Sequence, residues 1–317
     1  MRQMTFATSA FEPFRKPTRR EQFLAEMDRV VPWHELCALI EPVYPTAGNG
    51  RPPVGLERMV RLYFLQQWFN LSDPGVEEAL YESGSMCRFV GIDLGREPVP
   101  DETTICKFRH LLETHGLGLP LFAAVSQQLA AHGLRVARGT IVDATIISAP
   151  ASTKNQAHAR DPEMRSTKKG NQWYFGMKAH VGVDSRTKLI HAVVATAASV
   201  HDSQVLPQLL HGGETRVWGD RAYAGQRPAI TAAAPGACDF THRKAYRNRP
   251  LSLADHARNR TKSQVRAKVE HTIGVMKRIF GFTKVRYRGL AKNTHRLWVT
   301  CARANLFMAR RIVLRST

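Results

Sequence analysis

Gly139-Thr140-Ile141-Val142-Asp143-Ala144-Thr145-Ile146-Ile147 is β-branched and apolar almost throughout, the texture of a central strand interrupted by one carboxylate. A charge placed mid-strand among Ile141, Val142, Ile146 and Ile147 is costly unless a cation or a hydrogen-bond donor meets it. A satisfied core aspartate is one reading of Asp143. A metal ligand is the sharper one.

The texture after this strand sets the rest of the fold. Residues 151–172 are almost wholly polar and read as a mobile loop. Trp173–Asp184 and Lys188–Thr196 read as a hairpin around Ser185-Arg186-Thr187. His201-Asp202-Ser203 caps a helix through Leu210, and Arg216–Asp220 is a short strand ending in a carboxylate. A helix over Arg221–Ala233 and a last short strand over Ala237–Thr241 follow, and the chain turns helical again near Gln264. Three strands with a hairpin, then helix, strand, helix, strand and C-terminal helices make a mixed α/β, ribonuclease-H-like arrangement. No internal repeat is visible.

Ahead of the strands, residues 19–115 read as helical. Leu56, Met59, Val60, Tyr63, Phe64, Gln67 and Trp68 form a face of period 3.6. Ser72-Asp73-Pro74 and Pro100-Asp101-Glu102 carry helix-start signals. Short capped helices suit a helix-turn-helix DNA reader and an all-helical packing module equally. The boundaries expected are a helical N-terminal domain over 1–135 and a catalytic domain over 136–317.

Net charge divides the chain differently. The whole chain carries +20, which points to a polyanion, with nucleic acid the default. Residues 241–317 hold twenty Lys and Arg against Asp255 and Glu270 alone, leaving little excess elsewhere. This run is interleaved with Phe280, Phe282, Tyr287, Trp298 and Phe307 and has helical apolar periodicity, so it reads as a folded phosphate-binding surface. Glu270 stands out in it as a lone carboxylate among cations.

Each remaining carboxylate has a plain reading of its own. Asp220, ahead of a helix, suits an N-cap; Glu270 suits a surface pair with Arg266 at i−4. Together with Asp143 they converge at one end of a ribonuclease-H-like sheet, giving the hard oxygen donors that two Mg²⁺ ions need for phosphoryl transfer. At about 100° per residue, Arg266, Glu270 and Lys277 share one helical stripe, beside an apolar one of Val265, Val269, Ile273, Met276 and Phe280.

Other classes fall away. No apolar run reaches membrane-span length. Met1–Phe6 lacks a signal peptide's apolar segment, so the cytoplasm is expected. Cys37, Cys87, Cys106, Cys238 and Cys301 are odd in number and scattered, favouring neither disulfides nor a structural zinc site.

At these residues the chain resembles a transposase of the insertion sequence five family, whose members carry an Asp, Asp, Glu triad. The resemblance runs nearly end to end: Tyr44-Pro45 with Gly48-Asn49-Gly50-Arg51, Leu71-Ser72-Asp73, Glu78-Ala79-Leu80-Tyr81, Pro100-Asp101 with Thr103-Thr104, Val142–Ile147, Ser152-Thr153-Lys154-Asn155, Gly170-Asn171-Gln172-Trp173, Phe175–His180 with Gly182-Val183-Asp184, His201-Asp202 and Ala304–Phe307. The family's last signature is Tyr, two residues, Arg, three, Glu, six, Lys. Here it reads Ser263, Arg266, Glu270, Lys277, with serine in place of tyrosine.

The resemblance implies a DNA transposase with Asp143, Asp220 and Glu270 holding two Mg²⁺ ions, for which Mn²⁺ substitutes. It implies Arg266 and Lys277 gripping DNA near the transposon end. Lys178, His180 and Trp173 suit a distorted DNA end, and Lys168, Lys169, Arg278 and Lys284 complete the expected DNA-facing set. The implied partners are terminal inverted repeats and target DNA, engaged by a homodimer at the nucleoid without membrane association. A ribonuclease-H-like nuclease or resolvase without strand transfer, and a decayed DNA-binding copy, remain as alternatives.

Overall fold

The computed structural model describes residues 16–48, 52–156 and 158–316. Asn49, Gly50 and Arg51 of the Gly-Asn-Gly-Arg motif, and the segment Met1–Phe6, lie outside the described residues.

The N-terminal part folds into α1 (Arg19–Val30), α2 (Trp33–Ile40), α3 (Leu56–Trp68), α4 (Asp73–Glu82), α5 (Gly84–Val90), α6 (Glu102–Thr114) and α7 (Gly118–Ala131). Two start signals act as the sequence indicates. Ser72 Oγ accepts from the Gly75 amide at 3.0 Å, and Asp101 Oδ1 from the Thr104 amide at 2.7 Å, each satisfying an amide that the first helical turn leaves without a partner.

β1 (Gly139–Ser148), β2 (Arg165–Lys169), β3 (Gln172–Asp184), β4 (Ile190–Ala197), β5 (Arg216–Trp218) and β6 (Cys238–Asp239) form one mixed sheet. β1 pairs antiparallel with β3 and β3 antiparallel with β4, while β5 runs parallel to β1 and β6 parallel to β5. Three antiparallel strands extended by two parallel ones is the ribonuclease-H-like topology. Successive β1 side chains feed two cores: Ile141 and Ile147 join the larger one shared with the helices, and Val142 packs with Val205, Leu206, Leu209, Val217, Tyr223 and Ile230 on the other face.

Gly176 is the tight point of this sheet. It pairs with Ser148 on β1 and with Arg165 on β2, and a Cβ there would lie 2.1 Å from the Ile147 carbonyl oxygen. Backbone cannot give way as a flexible side-chain tip does. Gly176→Ala is therefore expected to cost about 3 kcal/mol, read as a lower urea midpoint with an unchanged m-value.

Several local expectations differ from the structure. Part of the polar 151–172 segment is strand: β2 alternates polar residues on an exposed edge, and its backbone pairs with the first residues of β3. The expected helix over Arg221–Ala233 breaks into a 3₁₀ turn (Arg221–Tyr223) and α8 (Arg227–Ala233), because Gly225 takes φ +81° between them. The expected strand over Ala237–Thr241 reduces to the two residues of β6. α9 (Leu253–Gly274) starts eleven residues before Gln264, at Ser252, whose Oγ accepts from the Asp255 amide at 3.1 Å.

α10 (Leu290–Ser316) packs on α7, α1 and β4, so the larger hydrophobic core runs without a break from the N-terminal helices to the sheet. That packing corrects the reading of the C-terminal charge as one phosphate-binding surface. Arg296 and Arg303 are buried, Arg303 at 1% exposure, with their guanidinium groups over Phe282 and Phe280 at 5.1 and 4.9 Å. Arg286 donates to the carbonyls of Leu71 and Asn70, and Arg310 pairs with Glu26. With Arg296, whose Nη2 donates to Asn70 Oδ1 at 2.9 Å, these cations tie the C-terminal segments to the N-terminal part, while Arg303 is held within α10 by the Val299 carbonyl and Thr300 Oγ1.

Candidate active site

Asp143 projects from the middle of β1, its side chain 15% exposed. Oδ1 accepts from the Ala144 amide at 2.9 Å, and Oδ2 faces Arg266 Nη1 at 3.2 Å. Burial pushes its carboxyl up to about 6, with Asp220 and Asp202 adding to the rise while Arg266 and the Ala144 amide oppose it. Burial therefore disfavours its ionised form unless a cation stands beside it, as Arg266 does.

Arg266 reaches a second carboxylate. Its Nη2 lies 2.7 Å from Glu270 Oε1, one turn on along α9. The i−4 pair read from sequence is present, and the same guanidinium spans from helix to strand. Asp220 follows β5, and its Oδ1 accepts from the Ala222 amide at 2.8 Å, so it caps the 3₁₀ turn while bearing on Asp143.

α9 is held against the sheet by side chains that reach backbone. Lys268 Nζ donates to the Ser185 carbonyl at 2.6 Å and Thr272 Oγ1 to that of Lys188 at 2.9 Å. The helix then loosens into a π-helical turn, Val275–Ile279, of the kind found at functional sites. Lys277 Nζ donates to the Ile146 carbonyl at 2.8 Å. Burial, followed by neighbouring Lys169, holds its pKa below the usual lysine range. Within the expected apolar stripe, Val269, Met276 and Phe280 are buried and Val265 and Ile273 half-buried.

A cavity of about 750 Å³ is lined by Asp143, Asp220 and Glu270 together with Lys168, Lys169, Lys178, Arg266, Lys277 and Arg278. The three triad candidates, from mid-strand on β1, the turn after β5 and helix α9, thus face one space with six of the predicted DNA contacts. Three others stand elsewhere. His180 is fully buried, its Nε2 2.8 Å from Thr196 Oγ1; no surface of it is left for DNA, which corrects that expectation. Trp173 is 68% exposed in register with Lys168, off the cavity lining. Lys284 bridges to Ser148 beyond the cavity.

One residue of the lining was read from sequence only as part of a helix cap. Asp202 opens the 3₁₀ helix Asp202–Leu209, and His201 does cap it, accepting from the Ser203 amide at 3.3 Å. Asp202 itself lies 2.8 Å from Lys178 Nζ and faces the cavity. Its partner Lys178 lies on another strand, so no local pattern marks the pair. Tyr223 sits beneath the carboxylates, fully buried, and burial with Asp202, Asp143 and Asp220 holds its hydroxyl well above the usual range.

The donor set fits a hard divalent cation. It consists of carboxylate oxygens around one cavity, and Asp143 and Glu270 already hold a cationic group between them. As the side chains stand, no three His, Cys, Asp or Glu among the described residues are close enough to share one ion.

Residues 135–306 match the sequence profile of the Transposase DDE domain, over half of the chain. The chain belongs to the DDE-domain transposases. Residues 12–111 match a second profile, Transposase domain (DUF772), so the helical part has its counterpart among transposases as well. Among solved structures the chain is similar to piggyBac transposase, seen by cryo-EM as a synaptic complex with hairpin DNA, at 10% identity and a TM-score of 0.48, over 95% of this chain and 78% of that one. Both profiles accord with the motif resemblance to insertion sequence five transposases. Among the described residues no helix of this transposase is long and apolar enough to cross a membrane.

Proposed function

We propose that this transposase binds the terminal inverted repeats of an insertion sequence, cleaves phosphodiesters there, and joins the freed 3′-hydroxyls to target DNA. The observation that carries the reading is the placing of Asp143, Asp220 and Glu270, from separate elements, on one cavity rich in Lys and Arg. Bound between those carboxylates, two divalent ions, Mg²⁺ or Mn²⁺, would supply the charge neutralisation and activation of water or a 3′-hydroxyl that phosphoryl transfer needs.

The chain's own residues do the rest. Lys277 and Arg278 on the π turn, with Lys168 and Lys169 opposite on β2, hold phosphates on both sides of the carboxylates. Lys178, fixed by Asp202 and the Val200 carbonyl, keeps a cation at the cavity wall. Residues 1–135 act as an end-recognition and dimer-forming domain beside a catalytic domain over 136–317, since two transposon ends must be held at once.

The test is joining of a labelled transposon-end oligonucleotide to a plasmid in Mg²⁺. A joined product that is lost in Asp220→Asn and Glu270→Gln supports the proposal. Cleavage without joining would assign a nuclease instead, and unchanged joining in both variants would remove the triad.

A further inference from the structure

A second cleft, of about 790 Å³, opens on the other side of Asp220, between the segment 235–251 and the first turns of α9. Nothing in the proposed chemistry uses it. Arg227, Arg243, Lys244, Arg249 and Lys262 line it, opposed by two carboxylates, Asp239 and Asp255. Both carboxylates are engaged locally: Asp255 pairs with Arg243, and Asp239 Oδ1 accepts from the Thr241 amide at 2.7 Å. The cleft therefore carries a surplus of positive charge with no protein partner for Lys244 or Arg249 among the described side-chain contacts.

The cleft is built rather than incidental. Asn259 clamps the Arg243 backbone, accepting from its amide at 3.0 Å and donating to its carbonyl at 3.1 Å, and Lys262 Nζ donates to the Thr241 carbonyl at 2.8 Å. Tyr246 and Arg249 exchange two backbone hydrogen bonds, 3.1 and 3.0 Å, across a tight turn. This turn presents the Tyr246 ring at the cleft, 62% exposed among the cations.

It also adjoins the active site. The His242 amide donates to the Gly219 carbonyl, next to Asp220, at 3.0 Å. Lys262 in the cleft and Arg266 in the catalytic cavity are one turn apart on the same helix. The two spaces thus succeed one another along α9.

We propose that this cleft binds single-stranded DNA next to the reacting phosphate, phosphates on Arg243, Lys244, Arg249 and Lys262 and an unpaired base stacked on Tyr246. The proposal rests on the reading of the chain as an enzyme of DNA ends and names a further stretch of its substrate path. A duplex offers this cleft only its phosphate edge and leaves Tyr246 without a base, whereas a charged groove with an exposed ring is what an unpaired strand requires.

The experiment measures binding of a fluorescein-labelled oligo-dT 12-mer to the full chain by anisotropy in EDTA, so that it stands apart from any failure of the joining assay. Tyr246→Ala is expected to weaken binding about tenfold, within the range for loss of one base stack, and Tyr246→Phe to retain it. The double variant Lys244→Ala, Arg249→Ala is expected to flatten the slope of log K against log salt by about 1.4, at roughly 0.7 per phosphate contact on a single strand. All three side chains are exposed, and matching thermal melts confirm that the fold is kept. Unchanged 12-mer affinity in both the alanine variants overturns the proposal, as does an equal loss for a 12-base-pair duplex in Tyr246→Ala, which would assign the cleft to duplex backbone.

Discussion

Asp143→Asn is expected to abolish joining, by at least about 10³-fold, and to make the protein more stable. The two effects have one cause. Burial raises the carboxyl from 3.8 to about 6 even with Arg266 beside it, so holding it ionised at pH 7 costs about 3 kcal/mol relative to the unfolded chain. Asparagine has nearly the same shape and no charge, and it removes that cost. Arg266 keeps Glu270 as its partner in the variant. The activity loss follows because an amide is a poor ligand for a divalent ion and neutralises none of its charge.

The pH dependence has a definite sign. A carboxyl whose folded pKa is raised binds its proton more tightly in the folded state, so the stability it contributes is fully present below about pH 4. It is lost as the pH rises through about 6. The difference in Tm between Asp143→Asn and the parent should be near zero at pH 4 and grow to several degrees at pH 7. A variant less stable than the parent at pH 7 would mean that Asp143 is a satisfied structural aspartate.

How far the sequence disclosed this site depends on the range of each signal. Asp143 was legible because a carboxylate inside a β-branched run has few innocent explanations, and the Ser72 and Asp101 caps because capping is decided within one turn. The stripe of Arg266, Glu270 and Lys277 followed from helical geometry, and a π turn at its end still leaves Lys277 facing the cavity. What was missed is long-range. Lys178 and Asp202 meet only because β3 and the start of the 3₁₀ helix are brought side by side. The buried Arg296 and Arg303 belong to the same class: counted as charge they suggested a surface, while their aromatic partners Phe282 and Phe280 come from a turn before α10. Residue type and strand position suggest DNA for His180, which shares the β3 face of Lys178, but it is fully buried there with its Nε2 on Thr196 Oγ1, a partner on β4 that no local pattern marks.

Arg266→Met is expected to separate two properties that usually fall together. The guanidinium lies on Asp143 and Glu270 at 3.2 and 2.7 Å, with its Nε unpartnered, so it occupies ground between two carboxylates that a divalent ion would need. Methionine keeps an unbranched aliphatic side chain at this position of α9 and removes the competing charge. At pH 8.5, well above the value of about 6 to which burial raises Asp143 beside Arg266, Mn²⁺ should bind the DNA-free variant about tenfold more tightly by calorimetry. Joining should nevertheless fall about 100-fold if Arg266 grips the DNA end as proposed, since the variant then lacks a cation for a phosphate there. At pH 6 the gain in metal affinity should vanish, because loss of Arg266 lets the Asp143 carboxyl rise further and it becomes protonated. Unchanged or weaker Mn²⁺ binding at pH 8.5 would show that Arg266 does not compete with metal there, and would leave it the i−4 partner of Glu270 and nothing more.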